Sequence, residues 1–322
     1  MKTACLILFS LIASLQPVAL ADTPNVPPKC YLFSFFRNSG AAGLNLAWSP
    51  DGLKWHELTP PHGGSFLAPT VGGKIMRDPC LRLGPDGVFR LVWTTSWTRP
   101  LAFGYASSRD LLHWSEPKAV PVFTNDPDAL QNARNVWAPE LFYDEAKKEW
   151  LVFWASTIPG RFPATDKTGD DGFNHRIYYT TTKDFESFAP TRLLYDDGFD
   201  VIDATMLAAR GKFYLIVKDE TKTPVEKHLR IAVGESPEGP FGHAGPAISP
   251  DWVEGPSAIQ IGGEYIIYFD RYTANRYGAI KSTDMEHWQN ISSQVEFPEG
   301  ARHGTVSEVP GRIVKELLNA AK

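Results

Sequence analysis

Four carboxylates in this chain stand at comparable places: Asp78 in MRDPCLRL, Glu140 in NVWAPELF, Asp203 in FDVIDATML and Glu254 in VEGPSAIQI, each at the head of a short apolar run. They recur at intervals of 62, 63 and 51 residues. A single acid at a strand start is ordinarily a turn or cap residue. Four in one register point instead to carboxyls gathered in space, where repulsion and partial desolvation pull their proton affinities apart. Such a group can supply both halves of acid–base chemistry, one member giving a proton and another taking one. Bringing together residues so distant in sequence requires a fold that repeats.

That repeat is present. Helical spacing of apolar residues is scarce between Cys30 and Pro310, and five aromatic-rich runs take its place: YLFSFF from Tyr31, FRLVWTTS from Phe89, WLVFWAST from Trp150, FYLIVKDE from Phe213 and YIIYFDRY from Tyr265. After each comes a second strand and a turn ending in a ring, at Trp55, Trp114, Phe188, Phe241 and Trp288. A period of about 40 to 60 residues with several strands per unit is the pattern of propeller blades. The expected fold class is therefore all-β, a five-bladed β-propeller. Tyr31 has no strand of this kind upstream, whereas RHGTVSEV from Arg302 has no blade of its own. The C-terminal strand is thus expected to close the first blade, with His303 at the fifth equivalent position. Inner strands of a propeller surround a central channel, so the acids would converge there. The tail GRIVKELLNAAK, with Ile313, Val314, Leu317 and Leu318 at helical spacing, predicts a short docked helix.

Residues 1–21 read as a cleavable secretory leader: one lysine, an apolar run from Ala4 to about Leu15, and a small-residue ending at Ala19-Leu20-Ala21. This predicts a protein of the periplasm or the cell exterior, with residues 22–322 as a single catalytic domain. The leader's apolar run is too short to span a bilayer, and no later segment approaches the roughly 20 apolar residues a membrane helix needs. A formal charge of −5 with no basic cluster argues against nucleic acid or an anionic membrane as partner. Cys5 belongs to the leader, which leaves Cys30 and Cys80 as either one bridge or two free thiols.

Carboxyls facing a solvent-filled funnel, with tryptophans nearby and no metal-ligand cluster, suit glycoside hydrolysis. Trp97 and Trp137 flank the predicted inner strands and offer flat faces to sugar rings. Arg77 adjoins Asp78, while Lys218 in VKDE and Arg271 in FDRY end strands from which they would reach sugar hydroxyls.

In these residues the sequence resembles glycoside hydrolase family 43, whose members are five-bladed propellers. The motifs are RDP at Arg77 to Pro79, WAPE at Trp137 to Glu140, ID at Ile202 to Asp203 and EGP at Glu254 to Pro256, in the family's order. The resemblance covers essentially all of residues 22–322. It implies an inverting hydrolysis with Asp78 as general base and Glu254 as general acid. Asp203 would stay ionised beside Glu254, raising its pKa and orienting it. Inversion also implies that the carboxyls of Asp78 and Glu254 lie about 6.5 to 9.5 Å apart, with room for a water. Glu140 stands where many relatives carry Asp, and it is either a substrate ligand, the reading preferred, or a brace for its strand. His303 matches a histidine that in some relatives touches a bound calcium through water, although the reaction itself requires no cofactor. The implied partner is a carbohydrate: α-L-arabinofuranose first, with β-xylosidase or galactofuranosidase activity next. Two other functions fit a five-bladed frame, a phosphate-dependent phosphorylase and a carbohydrate-binding propeller without turnover.

Overall fold

The structure, a computed structural model, describes residues 26–322, so the leader expected at residues 1–21 lies outside the described residues. The chain runs through β1 (Lys29–Phe36), β2 (Asn45–Ser49), β3 (His56–Glu57), β4 (Arg77–Leu83), β5 (Phe89–Thr94), β6 (Ala102–Ser108) and β7 (Lys118–Pro121). After the short helix α1 (Pro127–Asn132) come β8 (Trp137–Asp144), β9 (Glu149–Thr157), β10 (His175–Thr182) and β11 (Arg192–Tyr195). The rest comprises β12 (Val201–Ala209), β13 (Lys212–Asp219), β14 (Leu229–Gly234), β15 (Glu254–Ile261), β16 (Glu264–Arg271), β17 (Arg276–Ser282), β18 (Gln289–Asn290), β19 (Arg302–Pro310) and α2 (Gly311–Ala320). They form five antiparallel sheets in the orders β19-β1-β2-β3, β4-β5-β6-β7, β8-β9-β10-β11, β12-β13-β14 and β15-β16-β17-β18. Each sheet is one blade, and the inner strands β4, β8, β12, β15 and β19 neighbour one another around the channel. The fold is the expected five-bladed propeller, with the first blade closed by the C-terminal strand.

The aromatic runs are the second strands of the blades, buried on both faces because each blade is sandwiched between two others; all six residues of β5 are buried. Alternate side chains serve opposite seams. Leu91 and Trp93 pack toward the β1 blade and Val92 toward the β8 blade. Five apolar clusters result, one in each seam, so the core is itself a ring and a missing blade would expose two of them. In four blades the turn that leaves the third strand for the outermost one is repeated: Ser49, Ser108, Thr182 or Ser282 bonds an Asp two residues on, and that carboxylate accepts the backbone N–H of Leu53, Leu112, Glu186 or Glu286. Of the rings that follow these turns, Trp55 is buried, whereas Trp114, Phe188 and Trp288 are half-buried edges of the seams, as is Phe241 in the remaining blade. Cys30 and Cys80 are both buried free thiols on different blades, which settles the alternatives against a bridge.

The five inner strands share an irregularity. At the same end of each, three steps along the inner strand face two on its partner: Arg77 to Cys80, Trp137 to Glu140, Ile202 to Thr205, Glu254 to Ser257 and Arg302 to Thr305. A bulge of this kind bends the strand and re-aims its side chains. Its second residue takes a left-handed backbone in four blades, with φ of 50° at Asp78, 48° at Ala138, 52° at Asp203 and 58° at Gly255. Such strain in non-glycine residues persists where the surroundings impose it, and it clusters at functional sites.

Closure depends on β19, which pairs with β1 from Lys29↔Pro310 to Phe36↔Arg302. Helix α2 then buries Ile313, Val314 and Leu317 in the first seam. Deleting residues 302–322 leaves β1 unpaired on its channel side and opens two seams. The truncated protein is expected to show no cooperative thermal transition by circular dichroism, whereas a sharp melt like that of the full chain would contradict closure by this strand.

Candidate active site

The bulges decide which side chains meet. At their second position stand Asp78, Asp203 and His303, all projecting into a cavity of about 280 Å3 at one mouth of the channel. Glu254 also lines it, from the first bulge position, and so does Arg302. The acids are therefore not in one register. Ala138 holds the equivalent place in the third blade, and Glu140 comes two residues later, at the fourth position. That places Glu140 one layer down the channel, where Oε1 accepts from Thr305 (3.0 Å) and Oε2 meets the Cys80 thiol (3.3 Å) and Arg82 (3.4 Å). It does not line the cavity, and these bonds suit a brace between strands rather than a substrate contact.

Asp78 Oδ2 accepts from the Thr94 hydroxyl at 2.7 Å, and that hydroxyl accepts from the Ala138 N–H at 2.8 Å, so the strained backbone of the next blade fixes the donor. His303 Nδ1 lies 3.3 Å from Asp78 and 3.6 Å from Asp203. Asp203 Oδ2 also accepts the Gly255 N–H at 3.0 Å. Glycine is required at 255, since a Cβ there would sit 2.4 Å from the His303 ring. Glu254 is clasped by Arg302 Nη2 (3.0 Å) and Lys218 Nζ (3.4 Å). Arg302 is in turn held through Nε by the fully buried Asp270 (2.7 Å), and Lys218 by Glu220 (2.6 Å). Lys227 grips the other oxygen of Glu220 at 2.6 Å and reaches Asp170, on the segment between β9 and β10, at 2.7 Å.

These placements split the carboxyls. Burial raises Asp203 to about 6, with the Glu254 and Asp78 charges adding to it and His303 and Lys218 opposing. Burial alone would raise Glu254 too, but Lys218, His303 and Arg302 outweigh it and hold this carboxyl below its ordinary range. His303 is pushed down by burial and pulled up further by Asp203, Asp78 and Glu254, so it tends toward the cation. Within the coupled pair Asp203 is thus the carboxyl shifted up and Glu254 the one held down, the reverse of the direction that the resemblance implies.

Arg77, Trp97 and Trp137 line the cavity. The Arg77 guanidinium lies 4.2 Å over the Trp97 ring, and Trp137 donates its indole N–H to the Trp97 carbonyl at 2.9 Å. Lys218 stands behind Glu254, 1% exposed, and Arg271 is outside the lining. The sequence reading missed Thr94, Ile202, Glu220, Tyr272 and Arg302. A signal existed for part of this set: the sixth residues of the aromatic runs are Phe36, Thr94, Ala155, Lys218 and Asp270, and three of these brace the site.

The donors beneath His303 do not fit a calcium ion, which takes 6–8 oxygen ligands. The carboxylate there, Glu140, is already charge-matched by Arg82. Asp219, Glu226 and His228 bring ligand atoms within 4.8 Å of one another elsewhere, but Asp219 is paired with Arg230 and His228 with Asp251. The Glu140–Arg82 pair has its own consequence. Arg82→Met leaves a buried carboxylate unpaired and is expected to cost about 3–5 kcal/mol in urea denaturation. The double variant Arg82→Met/Glu140→Met should recover most of it, and an unchanged midpoint in the single variant would contradict the pairing.

Residues 27–312 match a family described as a probable glycosyl hydrolase domain related to family 43. Over 124 residues the chain is 28% identical to an α-L-arabinofuranosidase of Bifidobacterium longum subsp. longum, a match spanning 35% of this chain and 11% of that relative's length. A thermostable family-43 glycoside hydrolase superposes with a TM-score of 0.55 at 17% identity, over 76% of this chain and 82% of that one. An exo-β-1,3-galactanase from Phanerochaete chrysosporium, crystallised with β-1,3-galactotriose, gives 0.52 at 13% identity, over 73% and 52%. Both structures share the fold. With the family matched over nearly the whole described chain and an acidic cavity where its inner strands meet, this protein belongs to the family-43-related glycoside hydrolases.

Proposed function

We propose that this protein is an exported, inverting, exo-acting glycosidase that releases a terminal α-L-arabinofuranose from plant polysaccharide or oligosaccharide. The observation that carries this reading is the convergence of Asp78, Asp203 and Glu254 on one cavity of about 280 Å3, at the small end of the range for ligand sites. That volume suits one sugar ring better than a length of chain. The arabinofuranosidase relative favours this sugar over xylose or galactofuranose. Asp78, oriented by Thr94, takes the proton from the attacking water. Glu254, whose side chain is 19% exposed against 8% for Asp203, presents a proton to the leaving oxygen. That proton belongs to the Asp203–Glu254 pair as a unit and is bound below about pH 6. Arg302 and Arg77 would bind sugar hydroxyls.

Asp78→Asn and Glu254→Gln should each lower kcat by about 10²–10⁴-fold with the fold intact by circular dichroism. The assay set is aryl α-L-arabinofuranoside, β-xyloside and galactofuranoside, with NMR reading the product anomer. Release of the inverted sugar is expected. A retained anomer would contradict the mechanism, phosphate-dependent product would favour a phosphorylase, and binding without product would favour a lectin.

The pH dependence has a definite sign. Loss of the pair's proton should bring kcat/KM down as pH rises through about 6. Glu220→Gln leaves Lys218 to answer Glu254 alone and should move that alkaline limb to lower pH, while Lys218→Met should move it higher. A limb that stays in place in both variants would contradict control of the pair by Lys218.

A further inference from the structure

Two large aromatic side chains beside the cavity are exposed, Trp97 at 54% and Trp252 at 44%. Trp252 stands two residues before Glu254 and is held with φ of 60°, a left-handed backbone that is rare for a bulky residue. Its neighbour Val253 is buried and anchors the turn, while the indole is left outward. There it meets the edge of Tyr272, centroids 6.4 Å apart and planes at 67°. Tyr272 lines the cavity and lies over the Lys218 ammonium at 4.8 Å, the same ammonium that contacts Glu254. An aromatic surface therefore runs from beside the proton donor out to solvent.

The two tryptophans stand on chemically different sides. Trp97 packs on Arg77, next to Asp78. In an inverting displacement, water enters on the side of the base and the leaving oxygen departs on the side of the acid. Whatever is attached to the leaving oxygen must then pass the wall next to Glu254, where Trp252 is, and not the wall next to Asp78. Nothing in the core needs Trp252, since its face is open. We propose that Trp252 and Tyr272 form the binding site for the sugar residue that departs, its apolar C–H face stacked on the indole. The inference rests on the hydrolase reading and adds to it a specificity-determining platform for the leaving saccharide.

The test compares Trp252→Ala with the wild type on an oligosaccharide from which the wild type releases its sugar, and on the fluoride of that same sugar, whose leaving group has no ring to stack. The variant should lose at least about tenfold more kcat/KM on the oligosaccharide than on the fluoride, and Trp252→Phe should recover part of the difference. Equal losses on both substrates, or no loss on either, would overturn the platform. Should Trp252→Ala fail to fold by circular dichroism, Tyr272→Leu carries the same expectation and the same contrary outcome. Wild-type protein that releases no sugar from any oligosaccharide would instead overturn the hydrolase reading, and would do so before any variant is compared.

Discussion

Everything at the cavity depends on a cation placed among carboxylates. Asp78 and Asp203 occupy equivalent bulge positions and would repel one another across the mouth of the channel. His303 Nδ1 sits within 3.6 Å of both. The same strand brings Arg302 to Glu254. Both cations come from β19, the strand that closes the ring, so the segment that completes the fold also neutralises the charges the fold has gathered. An open ring would lack both the partner for β1 and the counter-charges for the acids.

This coupling explains why the site is layered. The bulge positions carry the groups that face the cavity, and the residues behind them, Thr94, Lys218 and Asp270, orient or balance those groups from the ends of the second strands. One layer down, Glu140, Arg82, Thr305 and Cys80 form a separate polar network sealed from the cavity. A second cavity is lined mainly by apolar residues, among them Leu83, Phe142, Met206, Leu207 and Ile259, with Arg82, Ser307 and Glu308 beside them, and it holds no cluster of carboxylates. Within the upper layer, the division of protons is set by which carboxyl the cations reach. Lys218 and Arg302 both touch Glu254, and the cost of burial then falls on Asp203. A proton donor held low at rest by its cations, beside a neighbour holding the proton near pH 6, is a coupled pair rather than two independent acids.

The blade repeat was legible because burial on both faces forces each second strand into a continuous aromatic run, and five such runs at regular spacing have few alternatives. Ring closure followed from counting strands at the two ends. The acids were legible as a set but not in their register. The bulge is common to all five inner strands, and aligned on their prolines RDPC and WAPE put Ala138 opposite Asp78 and Glu140 opposite Cys80, two residues further along, so Glu140 lands a layer deeper. The balance of charge was not legible either. Like-charge repulsion alone suggests that Asp203 raises Glu254; the opposite direction comes from Lys218 and Arg302, whose approach to Glu254 is a matter of three dimensions. Arg271, also basic at a strand end, ends outside the lining for the same reason: a strand end says where a side chain starts and not where it points.

The measurement that bears most directly on this account is a carbon-13 NMR titration of the side-chain carboxyls, with Asp203 and Glu254 assigned through single substitutions. Asp203 is expected to take up its proton at about pH 6 while Glu254 remains ionised well below that. A Glu254 carboxyl that protonates first as pH falls, beside an Asp203 that stays charged, would show that the cations of the closing strand and of Lys218 do not govern the site.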